Sequence, residues 1–289
     1  MCGDSTENHK VLGQRLNKSQ GARPKSRSGI SVSVMKCSNC GLIYSQPQPV
    51  PFDIQQHYGM PPEDYWRPEK FHVEDDYFSR EIGIVKELLG FREGMAGLDI
   101  GAGLGQMMVA LERAGFDMYG IEPSAPFYER ALSDMKIDPK KLQFSTIEDA
   151  EFEDGSFDFV TYGAVFEHLY HPVESLEKVL RWLKPNGIVY IEVPSSDYFM
   201  SKVLNSYFKL ARTSYVTHLS PMHPPFHLFE FTLRSFEELQ KKLNFRIDKY
   251  YYEVCDIYFV PKIAHPLLRK YMKMTNTGMQ LMVYLRKTG

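Results

Sequence analysis

The central part of the chain alternates short apolar runs with segments in which apolar residues recur every three or four positions. The apolar runs predict five β-strands, at 96–100, 117–121, 142–145, 157–162 and 187–193. The helical period between these runs predicts helices at about 104–114, 125–134 and 172–183. Strands that alternate with helices favour a parallel sheet with helices on both of its faces.

Weaker patterns extend this core in both directions. A helical period covers 71–90, and another helix, at about 233–243, follows Thr232, a residue type that often caps a helix N-terminus. Two strand-like runs come last, at 246–260 and 279–286, and the turn-like sequence before the second suggests an antiparallel strand at the sheet edge. The pattern as a whole predicts an α/β fold: a doubly wound, seven-stranded, mostly parallel sheet with an antiparallel last strand.

The N-terminal part of the chain has a different character. Residues 1–30 are polar and basic, and we expect them to form a disordered tail. Such a tail could bind nucleic acid, but no aromatic residue interleaves with its charges, so no nucleic-acid partner is expected. Residues 31–70 combine a Cys-x-x-Cys pair with many prolines and form a small appendage. Residues 71–289 form the main domain, and an insertion covers 197–230.

Composition and charge narrow the classes of partner and the cellular locations that are expected for this chain. The net charge of −2 over 289 residues gives no field that would favour nucleic acid or membrane as a partner. No apolar run approaches the roughly 18 residues of a bilayer-spanning helix. Four cysteines are too few for a disulfide scaffold, and the first residues lack a signal-peptide pattern. A cytoplasmic location is expected, and the oligomeric state stays open.

A glycine-rich loop is the strongest chemical signal. Asp99 ends the first predicted strand region, and Gly101, Gly103 and Gly105 follow at alternate positions. Glu122 ends the next apolar run. Glycines let the backbone approach a ligand closely, and a carboxylate at the end of the second strand can bind both hydroxyls of a ribose. The arrangement predicts a site for a nucleoside-containing cofactor.

Four sequence blocks together resemble the class I S-adenosylmethionine-dependent methyltransferases. They are Leu98–Gly105, Tyr119–Ser124, Phe157–His168 with the His-Pro that follows it, and Leu183–Pro194. The resemblance implies a Rossmann-like methyltransferase fold, S-adenosylmethionine as cofactor, and methyl transfer as the reaction. It also implies that the closing strand, 279–287, is the family's inserted antiparallel strand.

The resemblance implies a cofactor-binding role for eleven residues: Asp99, Gly101, Ala102, Gly103, Gly105, Glu122, Pro123, Thr146, Ile147, Tyr162 and Gly163. In the family, Asp99 would fix the methionine part, Glu122 the ribose, and Tyr162 with Gly163 the methyl-donor end. An aspartate often stands at the position of Thr146, where it bonds the adenine amine. Here Ile147 would pack on the adenine ring instead.

Two histidines are candidates for the general base that a hydroxyl or acidic-carbon acceptor would need. His168 is the first candidate by position, although such histidines also shape the pocket without moving a proton. His227 is the second, in a proline-rich loop with His218 and His223, and a purely structural role is the alternative. A metal site built from the three loop histidines lacks a helical ligand spacing and is not expected.

A narrower resemblance covers the appendage. Cys37-x-x-Cys40-Gly-Leu-Ile-Tyr and the residues after it look like methyltransferases with an N-terminal zinc-ribbon segment. Those proteins usually carry an earlier Cys-x-x-Cys pair, whereas this chain has only Cys2, with His9 as a possible fourth ligand. Structural zinc wants four ligands, so no metal is expected, and Cys37 and Cys40 are the candidate ligands if zinc does bind. The alternative is a degenerate knuckle with reduced, buried cysteines.

The expected function is methyl transfer to a small-molecule or carbohydrate-type acceptor; the subgroup resemblance points to sugars or secondary metabolites. One alternative is an NAD-type dinucleotide-dependent oxidoreductase, which also uses a glycine loop followed by an acid. That class expects Gly-x-Gly-x-x-Gly, and here the third glycine comes one residue early. The other alternative is a non-catalytic cofactor-binding protein of the same fold.

Overall fold

The structure is a computed structural model that describes residues 1–16, 31–51, 53, 55, 58, 62, 72–220, 226–255, 257 and 260–289. Its strands, in chain order, are β1 Lys10–Leu16, β2 Ser31–Lys36, β3 Ile43–Gln46, β4 Ala96–Ile100, β5 Asp117–Glu122, β6 Leu142–Phe144, β7 Phe157–Gly163, β8 Leu183–Pro194, β9 Phe229–Glu230, β10 Phe245–Glu253 and β11 Gln280–Lys287. Its α-helices are α1 Ser79–Leu89, α2 Gln106–Arg113, α3 Ala125–Ser133, α4 Pro172–Trp182, α5 Phe199–Leu210, α6 Leu233–Leu239 and α7 His265–Thr275.

The main sheet has seven strands in the order β10-β11-β8-β7-β4-β5-β6. The pairs β4–β5, β5–β6, β4–β7 and β7–β8 are parallel, and β11 is antiparallel to both β8 and β10. This confirms the predicted doubly wound, mostly parallel sheet. The last strand of the chain lies inside the sheet, as the family resemblance implies, and not at its edge, as the local turn pattern suggests. The edge position belongs to β10.

The direction of winding reverses at β4. From β4 the chain proceeds outward through β5 and β6, and it then returns to place β7 on the other side of β4. In open parallel sheets, ligands bind beyond the carboxyl ends of the strands at such a reversal. The glycine loop follows β4 directly. It therefore lies at the reversal, where a cofactor site is expected.

The N-terminal segment forms a second, antiparallel sheet in the order β1-β2-β3-β9. The expectation of a disordered tail is wrong for residues 10–16, which pair with β2; residues 17–30 lie outside the described part of the chain. β9 comes from the predicted insertion 197–230, and its residues pair with Ile43 and Tyr44 of β3. The appendage is therefore hydrogen-bonded to the main domain through a two-residue strand.

Element boundaries differ from the sequence pattern in a few places. Helix α1 begins at Ser79 and not near residue 71, because Phe78, directly before it, adopts a left-handed conformation (φ 60°) that interrupts a helical run. The insertion contains α5, a helix that the sequence pattern does not indicate. Within the described residues, no helix combines the length and the apolar character needed to cross a bilayer.

Candidate functional site

A cavity of about 760 Å³ opens at the carboxyl ends of β4, β5 and β7. Eight of the predicted site residues line it: Gly101, Gly103, Glu122, Pro123, Thr146, Ile147, Gly163 and His168. Asp99, Ala102, Gly105, Tyr162 and His227 are not among its lining residues. The fold thus brings together segments that are up to 67 residues apart in sequence (Gly101 to His168).

The loop after β4 needs its glycines for backbone geometry. Gly101, Gly103 and Gly105 have φ values of 67°, 56° and 80°, a region that side-chain-bearing residues rarely adopt. A Cβ atom on Gly101 would lie 2.7 Å from a methyl group of Val165, whereas one on Gly103 would meet, within the described part of the chain, only Phe127, at 3.9 Å. At Gly101 the loop is therefore closely packed against Val165, whereas at Gly103 its backbone is open to the cavity.

Glu122 connects the loop to the second strand. Its Oε2 accepts a hydrogen bond from the amide of Gly103 and its Oε1 accepts one from the amide of Ser124, both at 2.7 Å. Burial raises the pKa of Glu122 to about 7, against the lowering effect of the two amides. An ionised carboxylate has about four acceptor positions, so two remain for a ligand diol.

Asp99 lies beneath the loop and does not reach the cavity surface. Its Oδ1 accepts a hydrogen bond of 2.6 Å from Thr161 Oγ1 on the neighbouring strand β7. Burial raises its pKa to about 7, and the Thr161 hydroxyl opposes that shift. The residue can support the loop and contribute negative potential, and its side chain is not among those that line the cavity.

The remaining predicted cofactor-binding residues differ in whether they line the cavity, and for those on a strand the direction of the side chain decides it. Tyr162 is fully buried, and its hydroxyl bonds Ser175 Oγ of α4 at 2.7 Å, so its side chain does not form the methyl-donor end of the cavity. Successive residues of a strand point to opposite faces, and Gly163 is the one that lines the cavity. On the opposite wall, Thr146 Oγ1 donates to Asp149 at 3.0 Å and Ile147 presents an apolar surface.

The charges around the cavity have one sign. Glu122, Glu148, Asp149 and Glu192 line it, and neither lysine nor arginine occurs among its described lining residues. An acid-lined cavity favours a ligand with positive charge, such as a sulfonium or an ammonium group, and disfavours a dinucleotide pyrophosphate.

A family model described as a methyltransferase domain matches residues 75–250 of the chain. The chain belongs to this methyltransferase family. Its cofactor is S-adenosylmethionine, and the family match decides against the dinucleotide-dependent oxidoreductase. A solved S-adenosylmethionine-dependent methyltransferase from Archaeoglobus fulgidus has the same fold, with a TM-score of 0.50 at 17% identity over 76% of this chain and 97% of that one.

Curated relatives are also methyltransferases. The chain is 30% identical to a ubiquinone biosynthesis O-methyltransferase from Alkalilimnicola ehrlichii, over 37% of this chain and 45% of that protein. It is 32% identical to a demethylmenaquinone methyltransferase from Staphylococcus aureus, over 35% of this chain and 44% of that protein. The chain thus spans less than half the length of the curated relatives it matches.

The two candidate bases of this methyltransferase lie in contact. The imidazole rings of His168 and His227 meet edge to face with centroids 4.5 Å apart. His168 Nδ1 lies 2.9 Å from the carbonyl oxygen of Phe226, which can only accept, so Nδ1 carries the hydrogen. In the neutral ring Nε2 then carries no hydrogen and can accept a proton, and it lies 4.0 Å from Glu167 Oε1.

Glu167 completes this group. Among the described residues its Oε2 is buried without a hydrogen-bond partner, and burial raises the pKa of the carboxyl to about 8. Of the other two loop histidines, His218 is ion-paired with Glu230, and His223 lies outside the described residues. The predicted absence of a three-histidine metal site is therefore untested.

The structure adds lining residues that the sequence analysis did not assign, among them Tyr77, Phe127 and Glu192. A further addition is Gln55, whose side-chain amide donates to Pro123 O at 2.7 Å and accepts from the Ala125 amide at 3.1 Å. No local sequence pattern predicts the role of Gln55, because its side chain connects the appendage to a segment far away in sequence, the one after Glu122.

Proposed function

We propose that this methyltransferase moves the methyl group of S-adenosylmethionine to a hydroxyl of a small-molecule or carbohydrate-type acceptor, with His168 as general base. The observation that carries the proposal is the tautomer of His168. Its Nδ1–H is used by the Phe226 carbonyl, and its unprotonated Nε2 belongs to a ring that lines the cofactor cavity.

The residues around the cavity suit each part of the cofactor. Glu122 would accept the two ribose hydroxyls on its remaining acceptor positions, and the bare backbone at Gly103 would lie against the cofactor. Ile147 would pack on the adenine ring, and Asp149, three residues from Thr146, offers the carboxylate that Thr146 lacks. The acidic lining would hold the sulfonium and the ammonium by charge.

The reaction is an in-line displacement at a methyl carbon that the positive sulfur already activates. When bound, the cofactor would supply this methyl carbon to the acceptor oxygen, and its sulfur would leave as a neutral thioether. His168 Nε2 would take the hydroxyl proton, and above pH about 8, where Glu167 is ionised, its carboxylate would stabilise the resulting imidazolium. Alignment of the two substrates alone can supply much of the acceleration, of order 7–11 kcal/mol in favourable cases.

A hydroxyl acceptor is favoured because a base within the cavity is needed for oxygen and not for a neutral amine. The curated relative from Alkalilimnicola ehrlichii is named as an O-methyltransferase. A relative from Caenorhabditis elegans is named as a phosphoethanolamine N-methyltransferase, so the choice of oxygen rests on the base in the cavity and not on these names.

The direct test uses S-adenosylmethionine with a labelled methyl group and a panel of phenol, catechol and sugar acceptors beside matched amines. We expect label transfer to hydroxyl acceptors, in a product that withstands conditions cleaving esters. Transfer to amines alone would contradict the role of His168. A non-catalytic protein of this fold would bind S-adenosylhomocysteine and label no acceptor of either class.

A further inference from the structure

Two helices of the main domain carry most of the large apolar side chains that the described residues expose. Twelve such residues are exposed within the described ranges, and seven of them lie on α5, on α7 or in the short segment before α7. They are Val203, Tyr207, Leu210, Ile263, Leu267, Tyr271 and Met274. Single exposed apolar residues are common on protein surfaces, whereas this concentration on two helices indicates a surface that a partner covers.

The exposed apolar residues follow the same spacing on both helices. In α5 they stand at positions 203, 207 and 210, and in α7 at positions 267, 271 and 274, so both sets are spaced i, i+4 and i+7. Residues at this spacing lie on one face of a helix. Leu210 is 84% exposed and Met274 is 75% exposed. Each helix therefore presents an apolar stripe that the rest of the described chain leaves uncovered.

The two helices are neighbours and are held in place by packing between them. Met200 of α5 and Met272 of α7 are buried in one small apolar cluster. The rings of Phe199 and Tyr271 meet edge to face with centroids 4.9 Å apart. The Phe199 amide donates to the carbonyl of Thr277, directly beyond α7, at 3.1 Å. The stripes thus belong to a packed pair of helices, and we name this pair the α5–α7 surface.

The charges on the α5–α7 surface are all positive. Residues 199–212 and 262–275 contain neither aspartate nor glutamate, in a chain with a net charge of −2. Lys202 is ion-paired at 3.1 Å with Asp197, which precedes α5, whereas Lys270 and Lys273 are exposed on α7. The apolar stripes are therefore flanked by basic side chains. The seven basic residues of the two segments are Lys202, Lys209, Arg212, Lys262, Arg269, Lys270 and Lys273.

The combination of apolar stripes and positive charge selects the class of partner. A second copy of the chain would place one basic surface against another, and like charges across an interface repel. A nucleic acid would pair with the lysines, but its phosphates give exposed leucine and methionine side chains no apolar contact. An anionic lipid bilayer provides acidic headgroups for the lysines and acyl chains for the apolar stripes. The composition of the surface therefore favours such a bilayer.

The position of the α5–α7 surface links it to the cofactor cavity. α5 follows the carboxyl end of β8, and α7 connects the carboxyl end of β10 to β11. Gln280, the first residue of β11, pairs with Pro194 of β8 and with Glu253 of β10. Because β8 is parallel to β7, both helices lie at the end of the sheet where the cavity opens.

We propose that α5 and α7 dock this methyltransferase on an anionic lipid bilayer, with the cavity end of the sheet toward the lipid. The apolar stripes enter the boundary between headgroups and acyl chains, and the lysines lie among the acidic headgroups. Docking in this way does not depend on which acceptor is methylated, so its test measures binding and not activity.

Sedimentation of the full chain with mixed phosphatidylcholine–phosphatidylglycerol vesicles measures the binding, with pure phosphatidylcholine vesicles as the neutral reference. We expect binding to the mixed vesicles only, and weaker binding as salt increases. Lys270→Glu/Lys273→Glu should reduce the affinity by more than about tenfold. Leu210→Ser/Leu267→Ser should also reduce it, although this variant leaves the charge unchanged.

The matched charge control is Arg92→Glu/Lys140→Glu, which changes the net charge equally on exposed residues before β4 and β6, at the opposite end of the sheet. It should bind the mixed vesicles as the wild-type chain does. Equal losses of affinity in the two charge-reversal variants would contradict the assignment to α5 and α7, because the binding would then follow net charge alone.

Fluorescence distinguishes insertion of the apolar stripe from attraction by charge. In Tyr207→Trp, the new indole lies on the stripe of α5, and its emission should shift to shorter wavelength when mixed vesicles are added. In Tyr250→Trp, the new indole lies on the exposed part of β10, outside the α5–α7 surface, and its emission should stay unchanged. Equal shifts in the two variants, or none in either, would contradict docking through α5.

Three further results would overturn the proposal. The first is a wild-type chain that fails to sediment with the mixed vesicles at low salt. The second is a chain that dimerises in analytical ultracentrifugation without lipid and loses the dimer in Leu210→Ser/Leu267→Ser, since the surface would then join two copies. The third is a DNA oligonucleotide that displaces the chain from the mixed vesicles and binds Leu210→Ser/Leu267→Ser as tightly as wild type.

Discussion

Replacing Glu122 with alanine is expected to weaken the binding of S-adenosylhomocysteine by about a hundredfold or more. Each hydrogen bond to a charged group is worth about 1.5–3 kcal/mol, and the carboxylate would make two to the ribose. The change also frees the amides of Gly103 and Ser124, which Glu122 holds at 2.7 Å, so the glycine loop loses its support. Isothermal titration calorimetry measures the affinity directly.

Two matched variants separate the ribose contact from a general loss of negative charge. Glu174→Ala removes an exposed acid outside the cavity and should bind as wild type. Glu122→Gln keeps one acceptor oxygen but turns an NH₂ group toward a backbone donor, so its affinity should be intermediate. If Glu122→Ala bound S-adenosylhomocysteine within a factor of about two of the wild-type affinity, the proposal that Glu122 binds the ribose would be wrong.

The same titration should depend on pH with a definite sign. Burial raises the pKa of Glu122 to about 7 in the free protein, and the diol needs the ionised carboxylate as acceptor. Affinity should therefore be constant above pH about 7 and decrease as pH falls below it.

Replacing His168 with alanine is expected to lower kcat by about two to three orders of magnitude with a hydroxyl acceptor. The loss follows from removal of the only proposed proton acceptor among the described residues that line the cavity. Cofactor affinity should change little, because the proposed ribose and adenine contacts come from other segments. Single-turnover assays with labelled S-adenosylmethionine measure the chemical step.

His227→Ala provides the comparison, since its ring contacts His168 without lining the cavity. It should reduce the rate less than His168→Ala. In the wild-type chain the rate of methyl transfer should rise with pH and then level off. This rising limb of the pH profile should be absent in His168→Ala. If His227→Ala had the larger effect, or if the limb persisted without His168, the general-base assignment would move to His227.

The part of the site that could be predicted from sequence is the part encoded locally. Asp99, the glycines and Glu122 belong to one strand–loop–helix–strand unit. The positive φ values at Gly101, Gly103 and Gly105 require glycine wherever the loop is placed. Strand periodicity was sufficient to predict the sheet. It was not sufficient to predict in which direction the side chains point at the ends of the strands. Tyr162 and Gly163 are adjacent in sequence, and only the pleat of β7 decides that the glycine lines the cavity.

The sequence by itself determined the doubly wound sheet and the glycine loop, because each depends on periodicity or on backbone conformation within a short segment, and the cofactor was implied by the resemblance of four sequence blocks to a known family. Only the tertiary structure decided how Cys2, His9 and Cys37 approach one another, how Gln55 reaches Pro123, and how two basic apolar helices come to share the cavity edge. These are contacts between segments distant along the chain. Their formation depends on how the two sheets pack, a property that no local pattern of residues contains.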